Sequence, residues 1–189
     1  MFSNDMGSKD KKKEIVRMTA KLLSSADGAE EVTTRRIAEN AGINPAMVNY
    51  YFGSKDGLLK EAISSMDGDR HAALTHEQGG SRKSMFDYLV GLCESSVRYA
   101  GFGLIKDSAS FSKDVIHASS RLIEMKTLHD GKAPEEGDAA LCFKTVCFLM
   151  TASANPDGFA EYSGIDIRIK GQLRPLVSRE LDILLGDTL

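Results

Sequence analysis

Cysteine is scarce in this sequence, and no long apolar run is present. The 189 residues include three cysteines, too few for a disulfide framework. The most apolar stretch, around residues 146–154, is far shorter than the roughly 20 residues that a membrane-spanning helix needs. The first residues contain no continuous apolar segment, so we expect no signal peptide, no membrane association and a cytoplasmic location.

The spacing of cysteine and histidine also argues against a metal site. No Cys-x-x-Cys or His-x-x-x-His pair is present. Cys142 and Cys147 are five residues apart and would point in different directions from a helix. We expect these two and Cys93 to serve the core, with redox sensing as the alternative.

Catalytic motifs are missing as well. The sequence contains no Gly-x-Ser-x-Gly elbow, no Gly-x-Gly-x-x-Gly turn and no Walker loop. No cysteine or carboxylate stands at ligand or triad spacing from any of the four histidines, His71, His76, His117 and His129. We therefore expect no enzyme, no catalytic residue and no cofactor.

A general excess of positive charge is absent too. The net charge is −3. Residues 1–64 hold ten basic against nine acidic residues, and the remainder holds 14 against 18. Non-specific attraction to nucleic acid should be modest, with positive charge supplied locally.

Apolar residues recur at helical spacing, and no β-alternation persists, so the sequence predicts an all-α protein of about nine helices. The first is predicted to open at the basic run Lys9–Lys13 and to end at Asp27-Gly28. Later helices are predicted over residues 84–99, 104–111, 113–129, 138–154 and 168–185. Residues 155–165 are predicted to form a loop, and Pro175 should kink the last helix or shift its start.

Residues 33–52 predict two short helices joined by a tight turn. Thr33 is a suitable N-cap, and Gly42 can end the first helix in the left-handed conformation. Asn44 and Pro45 then form a strong start signal, because a proline at the first helical position loses no hydrogen bond.

The second of these helices has two different faces. Val48 and Phe52, four residues apart, share the buried face. The residues left facing outward are Ala46, Met47, Asn49, Tyr50 and Tyr51. Small residues, an amide and phenolic hydroxyls suit a helix that lies in a DNA groove.

Lys55 and the basic run Lys9–Lys13 each allow two interpretations. Ser54 predicts another helix start, and Lys55 follows in the first turn, where a cation opposes the helix dipole. A DNA phosphate at this helix N-terminus would explain Lys55, and a plain surface lysine is the alternative. The run Lys9–Lys13 is either a solvated face or a border of the DNA backbone.

The segment that carries a family resemblance is TTRRIAENAGINPAMVNYYFGSKDGLL, residues 33–59. It resembles the DNA-binding signature of the TetR (tetracycline repressor) family, and residues 51–56 are its most discriminating part. Asn49 stands where the family most often has tyrosine, and Tyr50 is the candidate substitute.

The resemblance implies an architecture and a function. It implies a three-helix DNA-binding domain within residues 1–66, with its helix-turn-helix at about 33–52, and a regulatory and dimerisation domain over 67–189. The implied protein is a homodimeric repressor that binds double-stranded DNA at a palindromic operator and responds to a small apolar or amphipathic effector. The last two long helices would form the dimer interface. A regulator without a ligand, controlled by a protein partner, is the alternative.

The resemblance also assigns residues. The implied DNA contacts are Thr34, Arg35, Asn44, Pro45, Ala46, Met47, Asn49, Tyr50, Tyr51 and Lys55. We expect phosphate contacts from Thr34, Tyr50, Tyr51 and Lys55, base contacts from Asn44, Ala46, Met47 and Asn49, and either from Arg35. The candidate ligand pocket is Cys93, Tyr99, Phe102, Phe111, His117, Arg121 and Met125, for which ordinary core and surface roles are the alternative.

Overall fold

Nine helices and no strand make up the residues that the computed structural model describes, 3–26, 31–76, 81–104 and 108–187. The predicted all-α class is therefore confirmed. In chain order the helices are α1 Ser3–Ser25, α2 Thr34–Ala41, α3 Ala46–Phe52, α4 Lys55–His76, α5 Arg82–Gly101, α6 Ser108–Asp130, α7 Asp138–Ala154, α8 Pro156–Ser163 and α9 Lys170–Leu185.

The chain divides into two compact units, Met1–Asp69 and Arg70–Leu189. The predicted domain boundary after residue 66 lies inside α4, which continues through Asp67-Gly68 to His76. The N-terminal unit holds α1, α2, α3 and most of α4. Its core consists of buried apolar side chains from all four helices, among them Ile15, Leu23, Ile37, Val48, Leu58 and Ile63, together with Val32 from the segment before α2.

The C-terminal unit is a helical bundle in which α5 contacts α6, α7 and α9, and α7 contacts α6, α8 and α9. One continuous apolar core holds it together, drawn from α5, α6, α7 and α9. Fully buried members include Leu89, Leu122, Val146, Val177 and Leu181. Each such side chain contributes roughly 1.5–3 kcal/mol by leaving water.

The first and sixth helices differ from their predicted extents. Helix α1 begins at Ser3 and not at Lys9, and it ends at Ser25; the predicted stop at Asp27-Gly28 lies outside the described residues. Helix α6 is continuous from Ser108 to Asp130, so the predicted break between 111 and 113 is wrong. No glycine or proline lies within that stretch to end a helix.

The predicted loop at residues 155–165 is also wrong, because it contains α8. Asn155 caps the helix by accepting a 3.3 Å bond from the Gly158 N–H, and Pro156 takes the first turn. A Cβ at Gly158 would lie 2.5 Å from Asn155 Nδ2, so a larger residue there would require the Asn155 side chain to shift. Gly158 is thus part of a helix start, although it resembles a loop residue in the sequence.

The last helix, α9, contains a proline in its interior. Helix α9 begins at Lys170, two residues later than predicted, and Pro175 still lies inside it. Leu173, Leu176 and Leu181 are buried and fasten the helix to the core on both sides of the proline.

Candidate nucleic-acid interface

The reversal between α2 and α3 has the local structure predicted for it. Thr33 is the N-cap of α2, and its Oγ1 accepts a 3.1 Å bond from the Arg36 N–H. Gly42 takes φ 63° and ends the helix, while the Ile43 N–H donates to the Ala38 carbonyl at 3.0 Å. These bonds satisfy the terminal groups of α2 and set the turn that leads into α3.

Helix α3 begins with the predicted Asn-Pro pair. Asn44 Oδ1 accepts a 2.9 Å bond from the Ala46 N–H, and the Asn44 carbonyl accepts one from the Met47 N–H at 2.8 Å. Pro45 already has helical dihedrals, φ −50° and ψ −33°. Asn44 therefore caps the turn, although the regular helix is assigned one residue later than expected, from Ala46.

The two faces of α3 are distinct. Val48 has no exposed surface and is the buried residue of the helix. Tyr50 is 76% exposed, and Ala46 and Asn49 are exposed as well. Met47, Tyr51 and Phe52 are half-buried, and the Tyr50 and Tyr51 rings stand edge to face with centroids 5.0 Å apart. The helix is thus anchored by one valine and presents an amide and a phenol to solvent.

Thr34 and Arg35 are the first two residues of helix α2. Thr34 is half-buried, and the Arg35 Nε donates to Glu39 Oε1 at 2.8 Å. The bond to Glu39 raises the pKa of Arg35, which keeps its charge in any case. Because the Arg35 side chain is 86% exposed, this ion pair is weak and a phosphate can compete with Glu39 for the guanidinium.

The start of α4 contains the other predicted phosphate contact. Ser54 Oγ accepts a 3.0 Å bond from the Gly57 N–H, as expected of an N-cap. The half-buried Lys55 donates to the Val32 carbonyl at 3.4 Å, a long bond to the residue that precedes the α2 cap. An ammonium has three N–H donors, so Lys55 can both brace this junction and reach a phosphate.

The lysines of α1 have different neighbours in the structure, although they form one basic run in the sequence. Lys12 Nζ lies 2.8 Å from Glu61 Oε1 of α4 and 5.1 Å from the Phe52 ring centroid of α3. Lys11 instead borders a cleft of about 470 Å³ beside Tyr50 and Tyr51. The helical spacing of the run separates these neighbours by about 100° around the axis.

The residues of the predicted ligand pocket are spread over different environments. Cys93, Tyr99 and Met125 are buried, and Cys93 and Met125 belong to the main core. The other four, Phe102, Phe111, His117 and Arg121, are half-buried. The Tyr88 hydroxyl lies 3.0 Å from His117 Nδ1, and Arg121 Nη1 lies 2.5 Å from Glu124 Oε2. The pocket as a unit stays a prediction.

An open apolar groove of about 640 Å³ lies elsewhere in the C-terminal unit, along α7 and α8. Its aromatic members are Phe143, Phe148, Phe159 and Tyr162, and the Phe148 and Phe159 rings meet edge to face at 5.8 Å. Phe143 is 48% exposed and Tyr162 is 92% exposed. This groove shares no residue with the predicted ligand pocket.

The cysteines differ in burial and acidity. Cys93 and Cys142 are buried, and Cys147 is half-buried in the wall of the α7–α8 groove. Burial raises the pKa of the Cys142 thiol to about 11 and also raises that of Cys147. Raised pKa values mean little reactive thiolate at neutral pH.

The described residues, 3–26, 31–76, 81–104 and 108–187, include neither a membrane-spanning helix nor a cluster of metal ligands. None of the helices there is long and apolar enough to cross a membrane. Nor do three or more histidine, cysteine or acidic side chains in that part of the chain group as metal ligands would.

A capped α2, a glycine turn and a short α3 with one buried valine and a polar outward face define a helix-turn-helix DNA-binding protein. Comparison with known families agrees. Residues 15–62 match the profile described as "Bacterial regulatory proteins, tetR family". This match confirms the resemblance seen in the sequence: the N-terminal unit contains the DNA-binding domain of TetR-family transcriptional regulators.

Curated relatives resemble the chain over a limited part of their length. The "HTH-type transcriptional regulator BetI 1" of Chromohalobacter salexigens is 23% identical over 86 residues, 46% of this chain and 42% of the relative. The "HTH-type transcriptional regulator BetI" of Burkholderia lata is 31% identical over 70 residues, covering 37% and 36%. The "Nucleoid occlusion factor SlmA" of Pectobacterium carotovorum is 27% identical over 67 residues, covering 35% and 34%. The match thus spans well under half of each relative.

Proposed function

We propose that the protein is a cytoplasmic, ligand-responsive repressor that binds a palindromic operator as a homodimer. The observation that carries the DNA-binding part is the division of α3 into a buried anchor, Val48, and an exposed face with Asn49 and Tyr50. On this face Asn49, Met47 and Ala46 would approach base edges, while Tyr50 and Tyr51 would reach phosphates.

Residues at the starts of α2, α3 and α4 would complete the contact with DNA. Asn44 and Pro45 open α3, Thr34 and Arg35 open α2, and Lys55 opens α4. The Arg35 and Lys55 side chains, and the backbone N–H groups of these residues apart from Pro45, which has none, supply the local positive character that the N-terminal unit lacks as a whole. Each good bidentate base contact would add about 1–3 kcal/mol of discrimination.

A single α3 reads few base pairs, so two copies are needed for a selective operator. The exposed aromatic groove on α7 and α8 supports a homodimer, since a contiguous apolar patch rarely stays open on a monomer. A twofold contact would place the same groove of each protomer against the other. The exposed Ile183 of α9 is a further candidate for this interface.

The dimer has a direct test. Sedimentation of the full chain should give a dimer, and Phe143→Glu should give a monomer because it buries a charge in the interface. Ile116→Glu is the matched control, since Ile116 is 61% exposed on α6, outside the groove. A Phe143→Glu protein that remains dimeric would exclude this surface.

Effector response rests on the predicted pocket between α5 and α6. Tyr88 and His117 are hydrogen-bonded at 3.0 Å, and Met125 and Phe111 belong to the same apolar core region; a polar group among apolar residues is the usual make-up of a small-molecule site. An effector would release DNA only to the extent that it binds one spacing of the two DNA-reading domains more tightly than the other. Control by a protein partner is the second candidate, since one relative is named as a nucleoid occlusion factor and not as a transcriptional regulator.

Selection of bound sequences from a random DNA pool tests the proposal as a whole. We expect an enriched motif with twofold symmetry, and a parallel selection with added metabolite extract should recover less DNA. An enriched motif that extract leaves unchanged would favour the partner-controlled regulator. Failure to enrich any motif would refute sequence-specific binding.

A further inference from the structure

Helices α5 and α6 direct polar side chains toward each other along part of their length. The α5 residues follow one another by seven and four positions, and the α6 residues by four, three and four, so each set lies along one face of its helix. The Tyr88 hydroxyl lies 3.0 Å from His117 Nδ1, which joins the two faces. The side chains of this polar layer are Tyr88, Ser95 and Tyr99 of α5 and Ser110, Asp114, His117 and Arg121 of α6.

The polar layer is largely buried. Tyr88, Ser95, Tyr99 and Asp114 each keep 7% or less of their surface exposed, and the other three members are half-buried. Elsewhere the same two helices bury apolar side chains. Because polar groups cost free energy on burial unless each has a partner, the layer is either a closed hydrogen-bond network or the wall of a site for a polar ligand.

Arg98 of α5 favours the ligand site. It follows Ser95 by three residues, so the two side chains are neighbours on the helix surface, and a long side chain leans back over the preceding turn. The Arg98 Nη1 is buried and has no hydrogen-bond partner among the described residues. Glu94 has the usual i, i+4 spacing for an ion pair with Arg98, yet the two form none in the described part of the chain. A buried guanidinium N–H is therefore left for an acceptor that a ligand would supply.

The contact between Tyr88 and His117 also sets the register of the two helices. Both residues lie at a similar distance from the six residues that connect α5 with α6, so the helices run antiparallel. Ser95, seven residues after Tyr88, then lies opposite Ser110, seven residues before His117. Asp114 follows about one turn, roughly 6 Å, farther along α6. The end of the layer beside the guanidinium thus carries hydroxyl groups, and the carboxylate lies nearer the middle.

We propose that the effector is a small organic carboxylate whose acid group binds the Arg98 guanidinium beside the polar layer. The proposal rests on the proposed effector response and names the chemical class of that effector. A guanidinium holds a carboxylate by two parallel N–H···O bonds. Asp114 then accepts hydrogen bonds from hydroxyl or amino groups farther along the ligand. A phosphate ester fits less well, because its double charge would lie close to the buried Asp114 carboxylate.

A metabolite extract separated on an anion-exchange resin is the probe, and release of a fluorescent duplex from the full-length protein is the measurement. The duplex carries the motif from the pool selection. We expect the fraction that the resin retains to release the DNA, and the unretained fraction to have no effect. Esterification of the retained fraction with acidic methanol should abolish release, because a neutral ester does not pair with a guanidinium. Release that survives esterification and is lost after phosphatase treatment would overturn the carboxylate class.

Arg98→Gln tests the residue, since it removes the charge and keeps a polar side chain. From the strength of hydrogen bonds to charged groups, half-release should need about 10–100 times more of the retained fraction. Arg98→Lys keeps the charge without the two-pronged geometry, so it should lie between Arg98→Gln and the wild type. Lys83→Gln is the matched control, because it loses one positive charge from an exposed position of the same helix and should respond like the wild type.

Binding of the duplex before extract is added checks that each variant is folded. If Arg98→Gln fails this check, the comparison of Arg98→Lys with Lys83→Gln tests the same contact. Equal responses of the Arg98 variants and the wild type to the retained fraction would overturn the assignment of Arg98.

The other outcomes separate this proposal from the function on which it rests. Release by the unretained fraction alone would overturn the carboxylate class and leave a ligand-responsive regulator. A wild-type protein that binds the duplex and is released by neither fraction would refute the proposed effector response itself. A wild-type protein that binds no duplex would refute sequence-specific binding.

Discussion

Shortening Val48 to alanine should loosen the helix-turn-helix without touching its DNA-facing residues. Val48 has no exposed surface and is the buried side chain of α3. Loss of two buried methyl groups costs about 1.6 kcal/mol at about 0.8 kcal/mol each, and the space left behind adds about 1 kcal/mol. The expected destabilisation is thus about 2–3 kcal/mol.

Hydrogen exchange followed by mass spectrometry is the suitable assay, because it reports on the N-terminal unit within the full chain. Peptides covering residues 33–52 should lose about 2–3 kcal/mol of opening free energy in Val48→Ala, and peptides of α7 should not change. Asn49→Ala is the matched control in the same helix, and as an exposed residue it should stay within about 0.5 kcal/mol of the wild type.

The two variants should separate in DNA binding as well. Val48→Ala should keep the wild-type base preference under conditions where it is folded, because it removes no outward group. Equal loss of protection in Val48→Ala and Asn49→Ala would refute the division of α3 into an anchor and a reading face. It would mean that Asn49 serves the fold.

Two further outcomes follow from the structure. Lys55→Ala should weaken binding to all DNA sequences alike. It should lower the slope of log affinity against log salt by about one unit for each protomer on the DNA, as a titration would measure. An unchanged slope would leave Lys55 only its bond to the Val32 carbonyl. Burial raises the pKa of the Cys142 thiol to about 11, so the neutral thiol favours the folded state. This contribution to the free energy of unfolding is fully present below about pH 9 and should fall as the pH rises toward about 11. Denaturation of the wild type and of Cys142→Ala across this pH range measures the contribution, and identical pH profiles for the two proteins would contradict the prediction.

The sequence predicts the helix caps and the turn of the N-terminal unit well, because each depends on residues that are close together in the chain. The Thr33 and Ser54 caps, the Gly42 turn and the Asn44-Pro45 start depend on neighbours within four residues, and all are present. The same Asn-Pro signal at residues 155–156 also begins a helix, although the sequence predicts a loop there because Gly158 resembles a loop residue. Its role in the cap is visible only from its distance to Asn155.

Features that depend on contacts between distant residues could not be predicted. The sequence placed Lys11 and Lys12 in one basic run, yet only packing of α1 against Phe52 and Glu61 distinguishes them. Helix α7 has apolar residues on its outward side as well as in the core, and Phe143 and Phe148 occupy the outward side. That α8 extends this side into a groove depends on the fold of residues 155–165.

The central claim is that the outward side chains of α3 select the DNA sequence. Parallel selections from one random DNA pool, with the wild-type protein and with Asn49→Ala, test it most directly. We expect the variant to lose its preference at one base position, repeated symmetrically in the two halves of the motif, while the other positions are kept. An identical motif from both proteins would contradict the claim.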